Sequence, residues 1–144
     1  MANIDRAAVL AFLRTKKFGV VSTISPEGKP QSAVVGIAVT EDLEILFDTL
    51  ATTRKIRNLR RARSASMVVG WDRDEITVQI DGIADEPHGA ELARLKETYF
   101  AAHPGGRARE RWPHITWVRV RPQWLRYSDF SPTGSIVEFT HDQL

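Results

Sequence analysis

Residues 47–61 read Phe47-Asp48-Thr49-Leu50-Ala51-Thr52-Thr53-Arg54-Lys55-Ile56-Arg57-Asn58-Leu59-Arg60-Arg61. The stretch begins as the end of a strand, passes two threonines suited to capping a helix, and continues with Ile56, Leu59 and Ala62 at the spacing of one helical face. Arg54, Arg57 and Arg61 fall on other faces. At residues 53–55 two chemical signals coincide. The unpaired N–H groups of a first helical turn carry partial positive charge, and the Thr53 hydroxyl with the Arg54 and Lys55 heads adds donors that match phosphate oxygens. The competing reading is an ordinary capped helix with a solvated basic face.

Upstream, residues 18–25 (FGVVSTIS) are rich in β-branched side chains and run into Ser25-Pro26-Glu27-Gly28, a turn with Pro preset at its second position. Further strands are expected at 31–40 and 43–49, separated by Glu41-Asp42. No crossover helix fits between these three, so they are expected to form an antiparallel meander. At the start of the chain, Val9, Phe12 and Leu13 mark an amphipathic helix that Asp5 is placed to cap, with Ile4 and Val9 positioned as a hydrophobic staple.

Downstream, 64–71 and 75–84 read as a hairpin joined at Asp72-Arg73-Asp74. Leu92, Leu95 and Tyr99 mark a helix over 88–102, and Gly105-Gly106 marks a loop. The last strands are expected at 115–120, 123–127 and 135–139. The sum is a mainly β chain: seven or eight short strands in a closed or nearly closed antiparallel barrel with inserted α-helices, a single domain over 1–144. There is no internal repeat, linker or low-complexity tract.

A chain of 144 residues can bury one core without staples, and it holds no cysteine. Its four histidines, His88, His103, His114 and His141, show no ligand spacing, so no metal site is expected. The charged N-terminal segment and the lack of a long apolar run predict a soluble, cytoplasmic protein away from membranes. Net charge is +2, yet six of the ten residues 54–63 are basic. That run admits a nucleic-acid-binding reading, which is disfavoured because it is short, has no interleaved aromatics, and is matched by acidic residues at Asp72, Asp74 and Glu75.

From Phe18 to Tyr127 the chain resembles the pyridoxamine 5'-phosphate oxidase-like split-barrel flavoproteins. The likeness rests on Gly28-Lys29-Pro30-Gln31-Ser32-Ala33-Val34-Val35, on Phe47-Asp48-Thr49 with the Thr53-Arg54-Lys55 helix start, on Val78-Gln79-Ile80-Asp81-Gly82-Ile83-Ala84, and on Arg121-Pro122-Gln123-Trp124-Leu125-Arg126-Tyr127. It implies an FMN-binding split barrel whose two chains share the cofactor across a homodimer interface. Carried over by position, it implies that Thr53, Arg54 and Lys55 hold the cofactor phosphate with Thr49 nearby. The backbone at Val34, Val35 and Gly36 would lie along the ring, and Thr77 would touch it from a neighbouring strand.

The departures are informative too. The family's first cofactor strand opens and closes with cations, where this chain has Ala33 and Ala38. Its late flavin-contacting aromatic falls at Ser128, and its substrate-gripping Arg-x-His segment has no counterpart in 129–133. Oxidation of vitamin B6 phosphate is therefore not expected. The expected function is an FMN-dependent oxidoreductase acting on another small molecule, with the deazaflavin F420 as alternative cofactor and a non-catalytic cofactor-binding protein as a further alternative. No side chain declares itself as acid, base or nucleophile, which a flavin enzyme does not require. Trp71, Trp112, Trp117 and Trp124 are read as core or interface packing, with a flavin wall among them as the other reading.

Overall fold

The structure, a computed structural model, describes residues 3–144. Helix α1 (Arg6–Arg14) starts where the Asp5 carboxylate accepts a hydrogen bond from the Ala8 N–H at 2.9 Å. Its Val9 and Leu13 are fully buried, and Ile4 packs on the same core. Strand β1 (Phe18–Ile24) turns into β2 (Pro30–Gly36) through residues 25–29, where the Ser25 carbonyl accepts from the Gly28 N–H. Gly28 takes φ +78°, a left-handed conformation that glycine adopts without a Cβ penalty.

The strand expected over 31–40 is broken. β2 ends at Gly36, and a separate two-residue strand β3 (Ala38–Val39) pairs with β4 (Ile45–Leu50) instead of continuing along β1. The break falls at Ile37, whose N–H donates to the Lys17 carbonyl and whose own carbonyl lies 2.7 Å from His103 Nε2, so local partners replace the ladder. The simple meander is also corrected. β4 pairs with β7 (Ile115–Asp129) from the far end of the chain. With β5 (Ser64–Gly70), β6 (Ile76–Asp85) and β8 (Ile136–Phe139), the order is β2-β1-β5-β6-β7-β4-β3, and β8 lies on β7. β2 and β3 are neighbours in sequence but stand at opposite ends of this path. The bend at Ile37 thus ties the two ends together and curls the sheet into a split barrel.

The two strands expected at 115–120 and 123–127 are one, because Pro122 sits at a bulge and does not end the strand. Register passes from Asp81↔Trp124 to Gly82↔Pro122, leaving Gln123 as the extra residue. Gly82 is required there, since a Cβ would lie 2.5 Å from the Arg121 carbonyl oxygen. Helix α2 (Arg54–Arg61) buries Ile56 and Leu59 as expected, but its third buried residue is Asn58, and Ala62 is exposed. Helix α3 (Gly89–Ala102) is followed by a 3₁₀ segment, Pro104–Arg111, in place of the loop expected at Gly105-Gly106. One apolar core fills the barrel around Val21, Ile37, Phe47, Ile56, Ile80 and Leu125. A smaller one lies under α3, formed by Leu46, Leu95, Tyr99, Phe100 and Trp117.

Candidate functional site

At the start of α2 the Thr53 backbone is extended, as an N-cap requires, but its hydroxyl does not cap the helix. Thr53 Oγ1 donates to the Leu50 carbonyl at 2.9 Å and lies 3.5 Å from Thr49 Oγ1. Among the described residues the first-turn N–H groups are therefore left without a capping side chain. The helix start borders a hollow of about 170 Å³ lined by Thr53, Arg54 and Lys55 on one side and by Thr23, Gln31, Ser32 and Ala33 of β1 and β2 on the other. The buried Asn58 amide fixes this gap by donating to Thr23 Oγ1 (3.0 Å) and Gln31 Oε1 (2.9 Å).

The cations of α2 divide into two groups. Arg60 makes a two-pronged bond to Glu86, both contacts at 2.8 Å, and Arg61 donates to the Ile24 carbonyl. Arg54, Lys55 and Arg57 have no side-chain partner among the described residues, and of these Arg54 and Lys55 line the hollow. Partial burial lowers the pKa of the Lys55 ammonium, as it does for a cation deprived of water without a counter-charge. The arrangement can bind an anion: the helix start and the unpaired Arg54 and Lys55 border one small hollow.

A second, larger groove of about 880 Å³ lies on the outer face of β1, β2 and β5. Val34 and Thr77 line it, along with Phe18, Val20, Val68 and Trp71. Phe18, Val34, Val68 and Trp71 are exposed, Val34 at 70%. β2 lies at one end of the sheet path and pairs only with β1, so consecutive residues Ala33 and Val34 border the two hollows from one edge strand. Val35 turns its side chain into the core, leaving only its backbone near the groove. Gly36 stands against α3, where a Cβ would lie 3.1 Å from Tyr99 Oη. Ser128, the position that the resemblance assigns to an aromatic, is directly opposite Thr77 in the β6–β7 ladder and is buried, with no ring to offer the groove.

The structure thus brings Thr49, Thr53, Arg54 and Lys55 together, and separately Val34 and Thr77, with Val35 and Gly36 continuing the edge. Of the tryptophans, Trp71 walls the groove, Trp117 is buried under α3, Trp112 is exposed and Trp124 is half-buried. Sequence reasoning missed a polar network behind the edge strand. Tyr99 Oη donates to Asp48 Oδ1 (3.2 Å), while Arg109 donates to Asp48 Oδ2 (2.9 Å) and to Tyr99 Oη (3.1 Å). Burial, with the Asp48 carboxylate adding to it, pushes the Tyr99 phenol up to about 12. Tyr99 had a visible signal only as a helix-face apolar residue, and Arg109 reaches the network from the 3₁₀ segment read as loop. Also missed were Asn58 and Lys16, the latter buried at the end of the groove beside Asp72 and Asp74.

The family model for pyridoxamine 5'-phosphate oxidase matches residues 6–129. The chain is 32% identical over 85 residues to a pyridoxine/pyridoxamine 5'-phosphate oxidase of Bacteroides fragilis, a match that covers 59% of this chain and 34% of that protein. It therefore spans about a third of the curated relative's length. Among solved structures, a heme binding protein from Mycobacterium smegmatis superposes with a TM-score of 0.82 at 18% identity, over 99% of this chain and 61% of the other. A pyridoxamine 5'-phosphate oxidase-related, FMN binding protein from Nostoc punctiforme gives 0.71 at 13% identity, over 96% and 92%. These superpositions carry the barrel itself, and the family match carries the assignment: the chain belongs to the pyridoxamine 5'-phosphate oxidase family.

Proposed function

We propose that this protein binds FMN and acts as a flavin-dependent oxidoreductase in a homodimer, on a small molecule other than vitamin B6 phosphate. The observation that carries the reading is the hollow at the start of α2, where unpaired Arg54 and Lys55 and uncapped helix N–H groups await an anion beside an edge strand. The residues fit the phosphate at the end of the flavin's ribityl chain: Thr53, Arg54 and Lys55 hold the phosphoryl oxygens, and the Val34–Gly36 edge offers backbone donors and acceptors to the ring. Thr77 approaches from across the groove. When bound, the flavin supplies the hydride or electron transfer, and the chain supplies position and surroundings. The exposed apolar residues of the same face, Phe18, Val34, Val68 and Trp71, support a second copy that closes the groove and excludes water.

Absorbance of the purified protein with mass spectrometry of the released ligand tests the cofactor. Yellow protein releasing FMN supports the reading. Colourless protein that takes up added F420 but not FMN replaces it with the deazaflavin alternative, and uptake of neither overturns both. Light scattering at micromolar concentration is expected to return the dimer mass, and a monomer there defeats the shared site. Turnover of pyridoxine phosphate at ordinary enzymatic rates overturns the exclusion of vitamin B6.

A further inference from the structure

Among the described residues two cationic side chains are buried, Arg119 and Lys16. Arg119 is surrounded by carboxylates away from the groove, whereas Lys16, between α1 and β1, lines the groove. An ammonium has three N–H donors. Two are taken by Asp72 Oδ1 at 2.5 Å and Asp74 Oδ2 at 3.1 Å, and no third oxygen or nitrogen acceptor is present among the described residues. The Phe12 ring, 4.9 Å from Nζ, covers the ammonium without offering a lone pair of that kind. A buried charged group with an unused donor is costly unless something occupies it.

The two carboxylates are themselves held in place. Asp72 Oδ1 also accepts from the Arg73 N–H, and Asp74 Oδ1 from the Ile76 N–H. The turn that carries them uses Gly70 at φ +116° and Trp71 at φ +60°, a left-handed conformation that is strained for a bulky residue. The fold thus spends backbone strain to deliver two acceptors to one ammonium at the groove's end. Burial works against the Lys16 charge, but the bonds to Asp72 and Asp74 outweigh it and hold the pKa above the ordinary lysine value.

We infer that Lys16 contacts the ring held in the groove, its third N–H donating to an acceptor on the ring's polar edge and its charge favouring the ring in its reduced, anionic form. The inference rests on the FMN reading above. Two-electron, one-proton reduction of a neutral flavin leaves one negative charge on its pyrimidine edge. Asp72 and Asp74 then moderate the charge that Lys16 presents to it.

The test is the midpoint potential of protein-bound FMN, with dithionite supplying the electrons and water the proton, alongside the affinity for oxidised FMN. Lys16→Met is expected to weaken binding of reduced relative to oxidised FMN by about tenfold, a midpoint about 30 mV lower for a two-electron couple. Lys16→Arg restores most of it. Asp72→Asn and Asp74→Asn, which leave the ammonium less neutralised, are expected to move the midpoint upward. A purely structural clasp predicts that all three disruptions shift it the same way, and that result, or an unshifted Lys16→Met, overturns the inference. Should Lys16→Met fail to fold, the half-exposed Asp72 decides alone: an upward shift in Asp72→Asn supports the contact, and none or a downward one overturns it. If the wild type binds no FMN, the cofactor reading and this inference fall together. FMN binding without the predicted signs overturns the inference alone.

Discussion

The start of α2 and the surroundings of Arg119 use the same side-chain chemistry to opposite ends. Arg119 is 3% exposed and bonds Asp85 through Nε (3.0 Å) and Nη2 (2.7 Å), with Glu91 on Nη1 and Glu44 at 3.9 Å. Its charge is consumed within the fold, which ties β7 to β6, to the residue just before β4, and to α3. These hydrogen bonds, opposed by burial, hold the Arg119 guanidinium protonated well above the usual arginine range. Arg54 and Lys55, in the first turn of α2, meet no carboxylate among the described residues. A cation that is buried and paired is a structural element, and its removal strands its partners. One left unpaired over a hollow contributes little to folding and remains available to an anion.

The largest expected effect separates the two sites by binding. Replacing both Arg54 and Lys55 with Ala removes two charge-assisted bonds of about 1.5–3 kcal/mol each, so FMN affinity is expected to fall by roughly two to four decades while riboflavin affinity hardly changes. Thermal stability is expected to move by no more than about 0.5 kcal/mol, because Ile56 and Leu59 still anchor the helix. Calorimetric titration with FMN and riboflavin reads this out. An unchanged FMN affinity places the phosphate elsewhere and dissolves the contrast.

Arg119→Met should show the reverse pattern. Leaving Asp85 and its neighbours without their cation is expected to cost roughly 3 kcal/mol, the low end for a broken buried pair because those carboxylates retain some water. That lowers Tm by roughly 6–12 °C in a chain of this size. FMN affinity of the folded variant is expected to stay within about twofold, a difference of roughly 0.4 kcal/mol. A denaturation curve matching the wild type would show that the cluster is dispensable.

The smallest effect concerns the other end of α2. The hydrogen bonds from Arg60, against the opposing effect of burial, lower the Glu86 pKa from its ordinary 4.5. A depressed carboxylate contributes stability that is fully present above its unfolded pKa and is lost as pH falls through the folded value. The Tm difference between wild type and Arg60→Gln is therefore expected to be present at pH 7, to shrink below pH 4.5, and to vanish once the pH has fallen through the lowered folded value. A difference that persists in acid would mean that Arg60 acts through packing of its stem.

Much of the barrel was legible because its signals are local. The Asp5 cap, the Pro26-Gly28 turn, the 64–84 hairpin and the periodicity of Leu92, Leu95 and Tyr99 each depend on neighbours within a few residues. The same holds for residues 53–55, where hydroxyl and cations sit consecutively at a helix start. Misreadings occurred where a distant segment decides. Pro122 reads as a strand end until Gly82 accommodates it in a bulge, and 31–40 reads as one strand until Lys17 and His103 capture the backbone of Ile37.

By itself the sequence determined the mainly β character, the short basic helix after a strand, and which cations stand at that helix's first turn, since periodicity and capping act over a handful of residues. Which of that helix's cations remain free was decided only by tertiary structure. Glu86 and the Ile24 carbonyl, which occupy Arg60 and Arg61, come from elements 26 and 37 residues away. The pairing of Lys16 with Asp72 and Asp74 spans 56 and 58 residues, and the network of Asp48, Tyr99 and Arg109 closes across 51 and 61. Charge pairing depends on distance in space, and in a barrel whose two ends are joined by a bend at one residue, that distance follows from strand order and not from separation along the chain.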